Sequence, residues 1–178
     1  MKIPLSVPRY APLVVLAGLA LFVAGCNTCK PGKSKPPVAY QIDVNLDPAL
    51  KGKSVLVDVV GVNPVNLTRL DSYSMTQYWK PNDSMRNDVS KITFDFISGQ
   101  SLSQSLRKND PKWKNWLDRG ATHVVVLADL PGQTDKPQDS RRLTLSLDPC
   151  AWPDKTTNLV VQVKPSGVYL ETAPRPQK

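Results

Sequence analysis

The stretch Tyr40 to Val60, YQIDVNLDPALKGKSVLVDVV, decides the fold. Its opening residues alternate: Tyr40, Ile42, Val44 and Leu46 are apolar, while Gln41, Asp43 and Asn45 are polar. A period of two puts the apolar set on one face of an extended chain, as in a strand with one side buried. Asp47 to Ser54 (DPALKGKS) is rich in turn formers and interrupts the pattern. Ser54 to Val60 (SVLVDVV) is then a second strand, apolar on both faces except at Asp58, which points to a central place in a sheet.

The same signals recur downstream. Lys91 to Ile97 (KITFDFI) alternates with Ile92, Phe94 and Phe96 on one face, and Thr122 to Leu127 (THVVVL) reads as another buried strand. Leu143, Leu145 and Leu147 alternate again, as do Leu159, Val161 and Val163, and a short strand from Gly167 to Leu170 follows a Pro165-Ser166-Gly167 turn. Two helical insertions separate these runs. Asp71 reads as the cap of a short helix carrying Met75, Tyr78 and Trp79 before Pro81 stops it. A second helix starts at Asn109 or Asp110 with Pro111 in its first turn, places Trp113, Trp116 and Leu117 on one side, and ends before Gly120. The tryptophan pair is expected to pack onto a sheet. Seven or so short strands, turn signals between them and no long intervening helices predict a mostly β, two-sheet antiparallel sandwich with one or two short helical insertions.

The amino-terminal residues carry a different message. Lys2 and Arg9 precede an apolar run from Ala11 to Ala24 that ends in Val23-Ala24-Gly25-Cys26. A positive n-region, a short apolar core and small residues before a cleavage point describe an export signal. The apolar run, as a helix, reaches only about 21 Å, short of the roughly 30 Å hydrocarbon core. The small-small-Cys junction resembles the bacterial lipobox, so residues 1–25 are expected to be a lipoprotein signal peptide and Cys26 the lipidated first residue of the mature chain. Two or more acyl chains anchor stably, at about 0.8 kcal/mol per buried methylene. Asn27 is not the aspartate of an inner-membrane retention signal, which favours the outer membrane, with the domain facing the periplasm. Residues 26–37 (CNTCKPGKSKPP) then read as a flexible tether, residues 38–171 as the sandwich domain and residues 172–178 as a disordered tail.

Loss of the signal lowers the formal charge from +8 to +6 and leaves 153 residues, the size of one domain. No block of five or six like charges remains, and nucleic acid is not an expected partner. With Cys26 lipidated, Cys29 and Cys150 are the two remaining thiols in a compartment that permits disulfides. They are a candidate disulfide; a buried free Cys150 and an acylated or unpaired Cys29 stay open beside it.

The catalytic inventory is thin. His123, the single histidine, begins an apolar strand and reads as a core or strand-edge residue. One histidine does not make a zinc site, which takes three or four ligands. Asp58 and Asp95 sit mid-strand and are expected to point outward or lie at an edge. No glycine-rich phosphate loop and no Gly-x-Ser-x-Gly elbow occurs. The chain is therefore read as a binding or scaffolding protein rather than an enzyme, with no metal, cofactor or small-molecule substrate expected.

The order of segments resembles the TssJ (VasD/SciN-like) family of type VI secretion outer-membrane lipoproteins. A lipobox precedes a first strand ending in a polar turn at Asn45 to Ser54, then the valine-rich strand Val55 to Val60 and a short aromatic helix at Asp71 to Trp79. Next come an alternating strand, a Gly-Ala-x-His-Val-Val-Val-Leu strand before a charged loop, and a closing Leu159–Val163/Val168–Leu170 hairpin. The segment Arg69 to Asp88 is longer and more aromatic than that pattern, and the Trp113/Trp116 helix is an insertion. The resemblance implies a transthyretin-like sandwich, anchored through lipid on Cys26, that docks the periplasmic domain of a TssM-like inner-membrane protein. It also implies docking through the loop between the first two strands, here Asp47 to Ser54, with Leu50, Lys51 and Lys53 as the exposed contact residues. An apolar anchor between lysines suits an acidic, partly apolar patch. Two alternatives remain: a lipoprotein of other envelope machinery, and a carbohydrate- or ligand-binding sandwich using Trp79, Trp113 or Trp116 as a stacking platform.

Overall fold

A computed structural model describes residue 29 and residues 34–97, 101–130 and 139–176. The expected signal peptide, Cys26, most of the expected tether and most of the Pro131–Ser140 loop lie outside the described residues. Among the described residues eight strands form two four-stranded sheets: β1 (Gln41–Leu46), β2 (Val55–Val62), β3 (Lys91–Phe96), β4 (Ser103–Leu106), β5 (His123–Ala128), β6 (Arg142–Ser146), β7 (Asn158–Lys164) and β8 (Gly167–Leu170). The first sheet has the order β4-β1-β7-β8 and the second β3-β2-β5-β6. All pairs are antiparallel except β1 with β7, which run parallel from Gln41 opposite Asn158 to Leu46 opposite Val163. The sandwich read from alternation is the fold observed.

The alternation determines the core. Ile42, Val44 and Leu46 from β1 and Leu159, Val161 and Val163 from β7 face Val57 and Val59 from β2 and Val124 and Val126 from β5, all buried. The outer face of the second sheet is apolar too, through Val60, Val62, Val125 and Leu127. Such a face requires a cover. Three short helices provide it: α1 (Pro64–Asp71), α2 (Met75–Tyr78) and α3 (Ser84–Asp88), which lay Leu70, Met75, Tyr78 and Met85 onto these strands. The helices differ from expectation. Asp71 closes α1 instead of capping a helix; Asn63 caps α1 by accepting from Asn66 N, and Ser74 caps α2 by accepting from Gln77 N. β4 was also not foreseen, because the inward face of its sequence SQSL carries one apolar residue, Leu106, beside Gln104.

A fourth helix, α4 (Pro111–Asp118), closes one end of the sandwich. Asp110 caps it, its Oδ1 accepting from Lys112 N at 2.8 Å, and Pro111 occupies the first turn. Trp113 and Trp116 enter the core edge to face, 5.3 Å apart, each with its indole N–H bonded to a carbonyl, of Arg107 and Ser90 respectively. Trp116 lies directly on Gly61 of β2: a β-carbon there would sit 2.3 Å from the indole. The pair is buried, so neither ring presents a stacking surface.

Candidate docking surface

Topology assigns the described connections to one of two ends. β1 runs away from the chain entry near Val38, so the β1–β2 connection lies at the far end of the sandwich; the β6–β7 connection and α4 lie at the near end with the tether. At the far end, Asp47 Oδ1 accepts from Ala49 N at 2.8 Å and Pro48 sets the first position of a 3₁₀ turn, Pro48–Leu50. Backbone bonds from Leu50 to Asp47 and from Lys51 to Pro48 tighten it, and Gly52 at φ 85° turns the chain back toward β2. The loop base is pinned as well: Leu46 N donates to Leu102 O and Asp47 N to Val163 O.

This geometry corrects one expected contact residue. Leu50 is fully buried and belongs to the main core, because the capped turn swings its third residue back between the sheets. A leucine plugging the end of a sandwich gains more by leaving water than by waiting for a partner, at about 1.5–3 kcal/mol for the side chain. Lys51 and Lys53 do project into solvent. The surface offered by this loop is thus basic and polar, without the apolar anchor expected between the lysines. An Asp-Pro pair before a lone leucine is the signal that identifies such a turn.

At the near end, Cys29 and Cys150 are joined in a disulfide, with Cα atoms 5.3 Å apart. Asp148 organises the site: its Oδ1 accepts from Cys150 N at 2.8 Å, opening a 3₁₀ turn at Pro149–Ala151, and from Lys35 N at 3.1 Å. Trp152 seals this corner of the core, its N–H on Ser146 O at 2.9 Å and its ring edge-on to Tyr40. Burial, helped by the nearby Asp148 carboxylate, pushes the Tyr40 hydroxyl up to about 12. Residues 172–175, expected to be disordered, fold back here: Thr172 Oγ1 accepts from Val160 N and Arg175 N donates to Ala151 O.

The most polar cluster is one the sequence did not announce. Asp58 points away from the sandwich core, as its alternation requires, yet it is fully buried beneath α2 and α3. Its carboxylate accepts from Thr93 Oγ1 at 2.6 Å, Arg86 Nε at 2.8 Å and Tyr78 Oη at 3.0 Å. The Arg86 guanidinium stacks on Trp79, 4.5 Å from the ring centroid, and the bond to Asp58 raises its affinity for the proton. Burial, then the charge of Asp58, raises the Tyr78 hydroxyl far above its ordinary value. Nearby, Asp83 accepts from Tyr73 Oη at 2.7 Å and caps α3 through Arg86 N. The cluster pins the helical layer to the sheet, although the buried Trp79 Nε1 beside it has no hydrogen-bond partner among the described residues. An aspartate inside an otherwise apolar central strand was the available clue.

The remaining candidates stay apart. His123 is half-buried at the start of β5, with Nδ1 2.9 Å from Thr122 Oγ1, and Asp95 is exposed on β3. Trp79 is half-buried, with one ring face taken by Arg86. Among the described residues no three His, Cys, Asp or Glu side chains gather to hold a metal ion.

No family model matches the chain, and no curated protein matches it in sequence. In fold it is similar to a chain in the structure of the T6SS protein TssM C-terminal domain from EAEC, at TM-score 0.49 and 16% identity over 74% of this chain and 98% of that one. It is likewise similar to a chain of a type VI membrane complex, at TM-score 0.48 and 15% identity over 75% and 98%. The crystal structure of the T6SS lipoprotein TssJ1 from Pseudomonas aeruginosa matches at TM-score 0.44 and 14% identity over 80% and 100%. At 14–16% identity such likeness concerns the fold alone.

Proposed function

We propose that this chain is a TssJ-like lipoprotein of a type VI secretion membrane complex, held by acyl chains on Cys26 at the outer membrane and facing the periplasm. In this reading it is a docking component without catalytic activity. Its β1–β2 loop engages the periplasmic domain of a TssM-like inner-membrane protein. The observation that carries the reading is the placement of Lys51 and Lys53. They are exposed on a loop pinned at its base, at the end of the sandwich opposite the tether. A rigid, basic projection of this kind favours an acidic partner, with charge setting association rate and register more than affinity. The lipobox and the order of segments in the sequence support the same assignment.

The test is an affinity pull-down of the tagged, lipidated protein from detergent-solubilised envelopes, with Lys51→Glu/Lys53→Glu in parallel. Recovery of a TssM-like inner-membrane protein by the parent, lost in the double variant, is expected. Recovery of the same protein by both would remove the loop from the interface, and recovery of no such protein would overturn the assignment.

A further inference from the structure

We infer that the Cys29–Cys150 disulfide fixes how the domain sits on its membrane: the end carrying Cys150 and α4 is its lipid-facing surface, and the β1–β2 loop is held away from the bilayer. The inference rests on the acylation of Cys26 proposed above. Only three residue steps separate Cys26 from Cys29, a reach of about 10 Å even when fully extended. Cys29 is bonded to Cys150, in the 3₁₀ turn between β6 and β7. The acyl anchor therefore pulls on the folded domain at that corner. Without the bridge, the first hydrogen bond from the tether to the domain among the described residues is Lys35 N on Asp148, nine steps from Cys26 and up to about 30 Å away. A nine-step reach restrains the domain's orientation less than a three-step one.

The chemistry of the restrained end matches its place. α4 connects β4 to β5 at the same end as the disulfide. It presents Lys114 to solvent, with Lys112 half-buried, and Arg107 and Lys108 just before it and Arg119 just after it are exposed; Asp118 pairs with Lys114. Each such cation near an anionic leaflet contributes about 1 kcal/mol. Tryptophans 113, 116 and 152 all turn inward at this end, so the surface meets headgroups with charge and does not insert. The opposite loop stands off by at least the length of β1, about 20 Å for its six residues. A covalent bridge thus presents Lys51 and Lys53 toward the interior of the compartment.

The acylated full-length protein, in vesicles of phosphatidylethanolamine and phosphatidylglycerol, tests this. A bimane is attached through p-azidophenylalanine at Pro153, beside the disulfide, or at Lys53, and a headgroup-nitroxide lipid serves as a short-range quencher. Strong quenching at 153 and little at 53 is expected, and equal quenching overturns the inference. Cys29→Ser/Cys150→Ser should lose the difference between the sites. So should insertion of about a dozen Gly/Ser residues between Thr28 and Cys29, which leaves the bridge and the fold intact and restores a flexible reach. A difference that survives the insertion also overturns it. Mass spectrometry of the amino terminus separates the two readings. An unacylated Cys26 defeats the lipoprotein assignment and this inference together, whereas an acylated protein quenched equally at both sites defeats this inference alone.

Discussion

Arg86→Met measures how far the buried carboxylate of Asp58 depends on its ion pair. Methionine keeps a chain of similar bulk and removes the guanidinium, with its 2.8 Å bond to Asp58 Oδ2 and its stack on Trp79. Asp58 then keeps the Tyr78 and Thr93 hydroxyls but has no counter-charge at a site with no exposure. Removing one partner of a buried pair costs about 3–5 kcal/mol. Because the Arg86 side chain is 23% exposed, water reaches that flank and the lower limit of about 3 kcal/mol applies. For a domain of this size that is a fall of about 10 °C in Tm. The reverse change, Asp58→Leu, strands the buried Tyr78 hydroxyl at about 1–3 kcal/mol but frees Arg86 to turn to solvent. The double variant Asp58→Leu/Arg86→Met leaves no unpaired charge, so it should lose less than the sum of the single changes, by about 1–3 kcal/mol. Thermal unfolding followed by far-UV circular dichroism, with urea titrations for the free energies, provides all four corners. An Arg86→Met protein melting within about 2 °C of the parent, or strict additivity in the cycle, would refute the argument.

Gly61→Ala should lower the urea midpoint by the equivalent of about 1–3 kcal/mol or more, because its methyl overlaps the Trp116 indole; an unchanged midpoint would place that ring elsewhere. Leu50→Ala should cost about 2–5 kcal/mol as a core cavity, while Lys51→Glu/Lys53→Glu should stay within about 0.5 kcal/mol of the parent. Equal melting of the two variants would return Leu50 to the surface. The pH dependence follows from four carboxylates. At Asp43, Asp83 and Asp139 burial alone would raise the pKa, but hydrogen bonds outweigh it and hold each below its ordinary value of 3.8. Their stabilisation is present above that value and is lost as pH falls through the lowered ones. Burial raises Asp129, whose contribution runs the other way and improves on acidification from neutrality toward the unfolded value near 4. Denaturant midpoints should therefore hold or rise slightly down to about pH 4 and drop below it; a midpoint that does not fall by pH 3 would contradict the bonds at these three carboxylates.

The parts legible in the sequence were those where one physical rule acts alone. Alternation located four strands because each has one face in a shared core, while two-sided apolarity marked Ser54–Val60 as central and Thr122–Leu127 as buried, and these form the two middle strands of the second sheet. The capped turn at Asp110-Pro111 gave α4 its start. Where two rules compete, the reading failed. β4 is an edge strand that puts Gln104 on the inward face beside Leu106 and two serines outward, so apolar alternation is broken and only pairing with β1 defines it. The parallel run of β1 beside β7 depends on contacts more than a hundred residues apart and leaves no local trace. Asp58 was assigned the correct side of its strand. Its burial depends on a helical layer whose starting signals, Asn63-Pro64 and Ser74, are ordinary turn residues when read singly.

The misplacement of Leu50 bears on how this loop can bind. A docking surface built around an apolar anchor must keep that anchor exposed in the free protein, at a cost in solubility, or release it on contact, at a cost in core packing. Leu50 does neither: it fills the end of the sandwich, and withdrawing it would open a cavity worth several kcal/mol. The loop is therefore left with Lys51 and Lys53, whose long side chains lose about 0.5–1.5 kcal/mol each in rotamer freedom when immobilised. Two exposed lysines with that cost yield a weak, salt-dependent contact by themselves. A stable complex through this end accordingly needs either a second surface or a raised local concentration. On the proposed lipoprotein reading, tethering would supply the latter, because a partner confined to the same envelope would meet the loop repeatedly, and an orientation fixed by the Cys29–Cys150 bridge would keep each encounter productive. On this argument, cutting the bridge should weaken partner capture from membranes while leaving binding by the detergent-solubilised protein nearly unchanged; equal loss in both settings would assign the disulfide a role in the fold of the loop itself.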